Sequence, residues 1–88
     1  MSAVPVVMYS KSWCPYCAKA RALLLARGAD LTVIDIEANP EADVEMRARS
    51  GRTTVPQIFI GDRHIGGCDD TQALDDQGQL LPLLQRFP

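Results

Sequence analysis

Residues 4–36 read VPVVMYSKSWCPYCAKARALLLARGADLTVIDI, and this stretch predicts a strand, a helix and a second strand. Residues 4–9 and 31–36 are dominated by β-branched and other apolar residues, as in buried strands. Between them, residues 15–27 repeat their apolar positions at the spacing of one face of a helix. Because two strands joined by a helix usually lie parallel in one sheet, the stretch predicts an α/β fold.

The middle of the chain predicts a second helix and then a hairpin. Asn39 followed by Pro40 indicates the start of a helix that ends near residues 50–51. Residues 55–60 are almost wholly apolar after their proline and predict a third strand. A glycine–aspartate turn then leads into residues 63–65, a short antiparallel partner that adds an edge to the sheet.

The last part of the chain predicts two helical segments. Asp69 or Asp70 is expected to cap a helix that runs to about Gly78, and residues 80–84 form a last short helix. The predicted order is β-α-β-α-β-β-α, a four-stranded mixed sheet flanked by helices. Since the sequence contains no linker and no repeat, we expect residues 1–88 to form a single domain.

The composition excludes several classes of protein. The 88 residues carry a formal net charge of −2, whereas a nucleic-acid binder usually needs a basic face. No apolar run approaches the roughly 18 residues of a membrane span, and the first residues lack the features of a secretory signal. The three cysteines are an odd number and do not suit a disulfide framework. We therefore expect a cytoplasmic protein whose thiols cycle.

Cys14 and Cys17 bracket the predicted start of the first helix. With Pro15 as the first helical residue, Cys14 is the N-cap, and its sulfur faces the free N–H groups of Tyr16 and Cys17. These donors, the positive end of the helix dipole and Lys11 would favour a thiolate. Cys17, one turn further on, should be less exposed and stay protonated. We therefore predict that Cys14 attacks disulfides and that Cys17 resolves the mixed disulfide.

A zinc site is the main structural alternative for the C-x-x-C motif. His64 and Cys68 could complete a set of three cysteines and one histidine. A Pro-Tyr pair at a helix start is unlike the turn that wraps a metal, so the motif favours redox chemistry and no metal. We expect His64 to be a surface residue without a catalytic task and Cys68 to be a buried or half-buried thiol. Trp13 should pack beside the site.

Three segments, in this order and spacing, resemble the signatures of dithiol glutaredoxins. They are WCPYC at residues 13–17, TVP at 54–56 and GGCDD at 66–70. Residues 51–60, GRTTVPQIFI, are also very similar to bacterial members of that family. The resemblance covers nearly the whole chain. It implies a thioredoxin-like fold, glutathione as the reducing co-substrate and no permanently bound cofactor.

The resemblance also implies where the γ-glutamyl end of glutathione binds. Its α-carboxylate would bind the backbone N–H groups of Cys68 and Asp69, which follow Gly67 at a helix start. A carboxylate from Asp69 or Asp70 would take the ammonium group. Ordinary helix capping by aspartate is compatible with this role, because capping leaves other N–H groups free.

The other implied contacts lie around the proline of the TVP segment, residues 54–56. In the family this residue, here Pro56, follows a cis peptide bond, so the backbone of Val55 could pair with a substrate as an added strand. Lys11 and Arg52 would meet the glycine carboxylate. The groove would also be lined by Tyr16 and Thr54.

The sequence thus predicts a monomeric enzyme that reduces disulfide-containing and glutathionylated proteins and binds neither nucleic acid nor membrane. A thioredoxin is the near competitor, but it would normally carry Gly-Pro between its cysteines and lack the segment at residues 66–70. An iron–sulfur carrier, in which two chains share a cluster through Cys14 and two glutathiones, usually lacks a proline at the position of Pro15. Both alternatives therefore fit the sequence less well.

Overall fold

The structure, a computed structural model, describes residues 4–85 and contains a four-stranded mixed sheet. Its strands are β1 (Pro5–Ser10), β2 (Asp30–Asp35), β3 (Gln57–Ile60) and β4 (Arg63–Gly66), in the spatial order β2-β1-β3-β4. β1 runs parallel to β2 and antiparallel to β3, and β3 is antiparallel to β4. The parallel β-α-β start and the antiparallel hairpin are thus confirmed.

Helices flank both faces of this sheet. They are α1 (Pro15–Ala26), α2 (Pro40–Ser50), α3 (Cys68–Asp76) and α4 (Leu80–Leu84). The buried residues of α1, α3 and α4 join the core on one face, and those of α2 join the core on the other. Within residues 4–85, no helix has the length and apolarity that crossing a membrane requires.

The central strands β1 and β3 supply both cores because successive side chains of a strand point to opposite faces. Met8 and Ile58 face α1, α3 and α4, whereas Tyr9 and Phe59 face α2. Burial of these side chains fixes the register of the two strands. The end of β1 is thereby anchored, and the chain passes from it directly into the loop that carries Cys14.

The start of β3 differs from the prediction. The strand begins at Gln57 rather than at residue 55, so the prediction was two residues too long. Pro56 has no N–H to donate to a neighbouring strand, so it is the last residue of the loop and not the first residue of β3. The Val55–Pro56 peptide bond is cis, as the resemblance implied.

The cap of α3 also differs from the prediction. Gly67 is the N-cap, and neither Asp69 nor Asp70 occupies that position. Asp70 lies three residues into the helix, where its carboxylate accepts a hydrogen bond of 2.9 Å from the N–H of Gly67. An acidic side chain at this position can accept a hydrogen bond from the backbone N–H of the N-cap residue. This explains why the aspartates resembled N-caps in the sequence.

Candidate active site

Cys14 is the N-cap of α1, as predicted. Its backbone is extended, with φ −84° and ψ 116°, and Pro15 follows as the first helical residue. The first helical hydrogen bond runs from the N–H of Ala18 to the carbonyl of Cys14, at 3.2 Å. The Cys14 side chain makes no capping hydrogen bond. The direct contact of the sulfur with helix N–H groups that we expected is therefore absent from the described structure.

Cys17 lies deeper than Cys14, as predicted. Its relative exposure is 3%, compared with 8% for Cys14, and both thiols are free. Burial raises the pKa of the Cys17 thiol, and the neighbouring Cys14 raises that pKa further, while hydrogen bonds with Ser10 and the backbone of Lys11 oppose the shift. The Cys17 thiol is therefore protonated at neutral pH.

Two exposed aromatic side chains flank the thiols. Trp13 is 66% exposed and Tyr16 is 62% exposed. Trp13 was expected to pack beside the site; its ring is largely exposed, and the ammonium group of Lys11 lies 5.4 Å from the ring centroid. Trp13 thus stands exposed in the loop before α1, next to Cys14 in the chain.

A groove of about 210 Å³ lies at the start of α3. It brings together all the predicted glutathione-binding residues except Lys11, and it adds Gln57, which the sequence analysis missed. The Cys68 thiol lies on its wall, and Cys14 contributes to the raised pKa of that thiol. The groove is lined by Tyr16, Arg52, Thr54, Val55, Pro56, Gln57, Gly67, Cys68, Asp69 and Asp70.

Lys11 lines a different cavity, also of about 210 Å³. This cavity is bounded by both active-site thiols, Cys14 and Cys17, and by Arg21 and Asp35. The sequence therefore placed Lys11 correctly beside the thiols, but the structure does not bring it into the groove that holds the other predicted residues.

The carboxylate of Asp70 is fixed at one end of the groove. Its Oδ2 accepts hydrogen bonds from the N–H of Gly67 at 2.9 Å and from Nη1 of Arg52 at 3.3 Å. The hydrogen bond from Gly67, followed by the contact with Arg52, holds the pKa of this carboxyl below its usual value. Asp70 is therefore ionised and oriented, and Asp69 beside it is exposed.

Two polar residues next to the groove lie differently from the sequence prediction. His64 is half-buried rather than on the surface, and its ring lies 4.9 Å from the centroid of Phe59. Gln57 is 1% exposed and stands in an otherwise apolar strand. Gln57 could have been recognised in the sequence as the one polar residue in a buried strand. A buried amide needs hydrogen-bond partners, so its presence indicates polar neighbours at that position.

Cys68 is buried at the start of α3, and burial raises the pKa of its thiol. A buried, protonated thiol is a poor nucleophile. Within residues 4–85, no three His, Cys, Asp or Glu side chains are grouped so that they could hold a metal ion. The structure thus does not assemble the three cysteines and His64 into the zinc site considered above.

Comparison with known proteins decides the family. The sequence model of the glutaredoxin family matches residues 6–65. The chain belongs to the glutaredoxin family. It is 54% identical over 80 residues to glutaredoxin 3 of Escherichia coli (strain K12), an alignment that covers 91% of this chain and 96% of that protein. Like its relatives, this glutaredoxin is an enzyme of the thiol–disulfide oxidoreductase class.

Solved structures of glutaredoxins share its fold. The solution structure of glutaredoxin from Brucella melitensis is 54% identical, with a TM-score of 0.83 over 97% of this chain and 92% of that one. A buckwheat glutaredoxin–glutathione complex is 34% identical, with a TM-score of 0.83 over 92% of this chain and 76% of that one. The thioredoxin-like fold implied by the resemblance is confirmed.

The close approach of Gly66 to Asp70 predicts how much a side chain at Gly66 would lower the free energy of unfolding. Gly66 and Gly78 both have positive φ, at 116° and 71°. A side chain costs about 1 kcal/mol of backbone strain at the left-handed φ of Gly78, and at least as much at the φ of Gly66, which lies beyond that region. At Gly66 an added Cβ would also collide with the Asp70 carboxylate, whereas nothing lies within 4 Å of such an atom at Gly78. We expect Gly66→Ala to lower the free energy of unfolding more than Gly78→Ala, as measured by urea denaturation. Equal losses would show that Asp70 is not held there.

The ionised Asp70 also predicts a pH dependence of stability. Its folded-state pKa lies below the ordinary value of 3.8, so its contribution is present above that value and is lost as the pH falls through the folded-state pKa. We expect wild type to exceed Asp70→Asn in free energy of unfolding at neutral pH, and the difference to shrink below about pH 4. Glu37→Gln, at an exposed position, serves as the control. A difference that stays constant with pH would contradict the assignment of this stability to the ionised Asp70 carboxylate.

Proposed function

We propose that this glutaredoxin reduces protein disulfides and protein–glutathione mixed disulfides, with glutathione as its reducing co-substrate. The observation that carries the proposal is the groove beside the thiols, which gathers Arg52, Val55, Cys68 and Asp70 at one surface. The enzyme needs no permanently bound cofactor.

The γ-glutamyl end of glutathione is proposed to bind at the start of α3. Its α-carboxylate accepts hydrogen bonds from the N–H groups of Cys68 and Asp69, which belong to the first turn and have no carbonyl partner within the helix. Its ammonium group pairs with a carboxylate of Asp69 or Asp70. Asp70 is the better oriented of the two, since Gly67 and Arg52 already hold its carboxylate in the groove.

The remainder of glutathione is proposed to run along the loop before β3. The backbone of Val55 pairs with the cysteinyl residue in the manner of an added strand, with Pro56 beneath it and Tyr16 opposite. Arg52 supplies the positive charge in the groove for the glycine carboxylate. Lys11 is proposed to reach the same carboxylate from the neighbouring cavity beside Cys14.

In the proposed reaction with a glutathionylated protein, only Cys14 forms covalent bonds. Its thiolate attacks the glutathione sulfur, a disulfide forms between Cys14 and glutathione, and the protein leaves as a thiolate that takes up a proton. A second glutathione thiolate then attacks the bound glutathione sulfur. Oxidised glutathione leaves, and the Cys14 thiolate is restored. Overall, one free glutathione and the glutathionyl group of the substrate become oxidised glutathione, and the sulfur of the substrate protein is reduced to a thiol.

In the proposed reaction with a protein disulfide, both thiols take part. Cys14 attacks one sulfur of the substrate and the other sulfur leaves, so that the substrate stays tethered to Cys14. Cys17 then gives up its proton and attacks Cys14, which releases the reduced substrate and leaves a Cys14–Cys17 disulfide. Two glutathiones reduce that disulfide. We propose that the enzyme works as a monomer in the reducing cytoplasm, where such dithiols are recycled.

A coupled assay tests this proposal. The protein is mixed with a small glutathione mixed disulfide, glutathione, glutathione reductase and NADPH, and NADPH oxidation is followed. We expect turnover that depends on both glutathione and the protein. Turnover supported by thioredoxin reductase in place of glutathione and its reductase would favour the thioredoxin alternative. A purified protein with visible absorption would favour the iron–sulfur carrier.

A further inference from the structure

We propose that His64 is a positioning residue that acts through Gln57 to fix the direction of the Thr54 hydroxyl group. The hydroxyl proton is thereby aimed into the groove, where it is donated to an acceptor oxygen of the glutathionyl group. This inference rests on the proposed function for the identity of the ligand, but the arrangement of the three side chains stands on its own.

The chain of hydrogen bonds has a definite direction. His64 Nε2 lies 2.7 Å from Gln57 Oε1, and Gln57 Nε2 donates to Thr54 Oγ1 at 3.3 Å. An amide oxygen only accepts, so His64 Nε2 must carry a proton and donate it. Thr54 Oγ1 then accepts from Gln57, and its own proton must point elsewhere. Thr54 is exposed at the wall of the groove, so the groove is where that proton is available.

Gln57, the middle residue of this hydrogen-bonded set, cannot exchange its protein partners for water. Gln57 is 1% exposed, and no buried side-chain polar atom in residues 4–85 lacks a hydrogen-bond partner. Turning its amide over would place its N–H groups against His64 and its oxygen against Thr54, which would reverse the direction of both hydrogen bonds. The orientation of the amide and the position of the proton on the His64 ring are therefore coupled, and the amide orientation in this structure corresponds to a proton on Nε2.

The imidazole of His64 is itself held in place. Its ring lies 4.9 Å from that of Phe59 at an interplanar angle of 31°, and the guanidinium group of Arg49 lies 4.1 Å from the centroid of the Phe59 ring. Arg49 also donates to the Tyr9 hydroxyl at 3.0 Å. These contacts come from β1, α2 and β3, so packing against the sheet and α2 holds the His64 ring in place together with its hydrogen bond to Gln57.

His64 needs no positive charge for this role. Burial lowers the pKa of its imidazole, Arg52 lowers that pKa further, and Asp70 opposes the shift. The ring is therefore neutral at pH 7, with a single N–H. The hydrogen bond to Gln57 assigns that N–H to Nε2. The cationic form of the ring also carries a proton on Nε2. Protonation of His64 therefore does not change the direction of the two hydrogen bonds that link it to Thr54.

Two substitutions of His64 separate hydrogen bonding from packing. His64→Phe keeps an aromatic ring beside Phe59 but has no N–H, whereas His64→Gln can place an amide N–H close to the position of Nε2. With a glutathionylated peptide as substrate, we expect His64→Phe to raise KM about 3- to 10-fold with little change in kcat, the loss of roughly one hydrogen bond. We expect His64→Gln to restore KM to within about twofold of wild type. Failure of His64→Gln to improve on His64→Phe would overturn the proposal.

A double substitution tests whether the effect passes through Thr54. Thr54→Val removes the hydroxyl group with little change of shape and is expected to raise KM by itself. Adding His64→Phe to Thr54→Val should then have no further effect, because the group that His64 positions is gone. A second rise in KM of the same size as the first would mean that His64 acts on the site by another route and would overturn the proposal.

A measurement on the resting protein is independent of glutathione. The ¹⁵N chemical shifts of the His64 ring distinguish a proton on Nε2 from one on Nδ1. We expect the Nε2–H form in wild type. The Nδ1–H form would overturn the inference even if the enzyme used glutathione as proposed, whereas a wild-type protein inactive with glutathione but carrying the Nε2–H form would refute only the proposed function.

Discussion

Replacing Cys14 with serine is expected to reduce disulfide exchange to the uncatalysed rate with every substrate. A serine hydroxyl is neither ionised at neutral pH nor able to form the mixed disulfide that the reaction requires. No other thiol is placed to substitute for Cys14, because burial raises the pKa values of Cys17 and Cys68 and keeps them protonated. The coupled assay with a glutathione mixed disulfide measures the loss.

Cys68→Ser is the matched control for this variant. Cys68 is also a buried thiol, it lies at a helix start, and it interacts with Cys14, but its side chain has no covalent step in the proposed reaction. We expect Cys68→Ser to keep most of the activity. If Cys14→Ser retained a tenth of the wild-type rate, or if Cys68→Ser lost as much as Cys14→Ser, the nucleophile would not be Cys14 alone.

Replacing Cys17 with serine is expected to separate the two reactions. Removal of glutathione from a peptide should continue, since an incoming glutathione releases the sulfur bound to Cys14 and no second protein thiol takes part. Reduction of an intramolecular protein disulfide by the two-thiol route should be lost. There the substrate stays tethered to Cys14, and only a thiol held within one helical turn reaches that disulfide at a high effective concentration.

The measurement for Cys17→Ser is a pair of rates in the same variant, one on a glutathionylated peptide and one on a protein disulfide. Loss of both rates would contradict the division of labour, because it would mean that Cys17 is needed to maintain the Cys14 thiolate itself. The burial of Cys17 at 3% exposure makes this a real test, since the serine hydroxyl must fit the same enclosed position.

The parts of the fold that were predictable from the sequence depend on local pattern. The periodicity of residues 4–36 predicted β1, α1 and β2, and Pro15 correctly placed Cys14 at the N-cap. The prediction failed at residues whose type is compatible with more than one position at the end of a helix or strand. Asp70 stabilises the start of α3 from its third position instead of capping it, and Pro56 precedes β3 instead of lying within it.

The surroundings of the groove were less predictable because they depend on contacts between distant elements. His64 was expected on the surface, but its ring lies beside Phe59 and its Nε2 reaches Gln57, seven residues earlier in the chain. Lys11 was expected with Arg52, yet the end of β1 directs it to the cavity beside both thiols. Neither placement follows from the spacing of residues, since strand pairing and helix packing determine both.

The central claim is that Cys14 alone carries glutathione between substrate and reductant. It is tested most directly by exposing the Cys17→Ser variant to oxidised glutathione and locating the adduct by intact mass and peptide mapping. Without a resolving thiol, the mixed disulfide should accumulate. We expect one glutathione per chain, attached to Cys14, and its release by added glutathione. Attachment to Cys68, or no adduct at all, would contradict the claim.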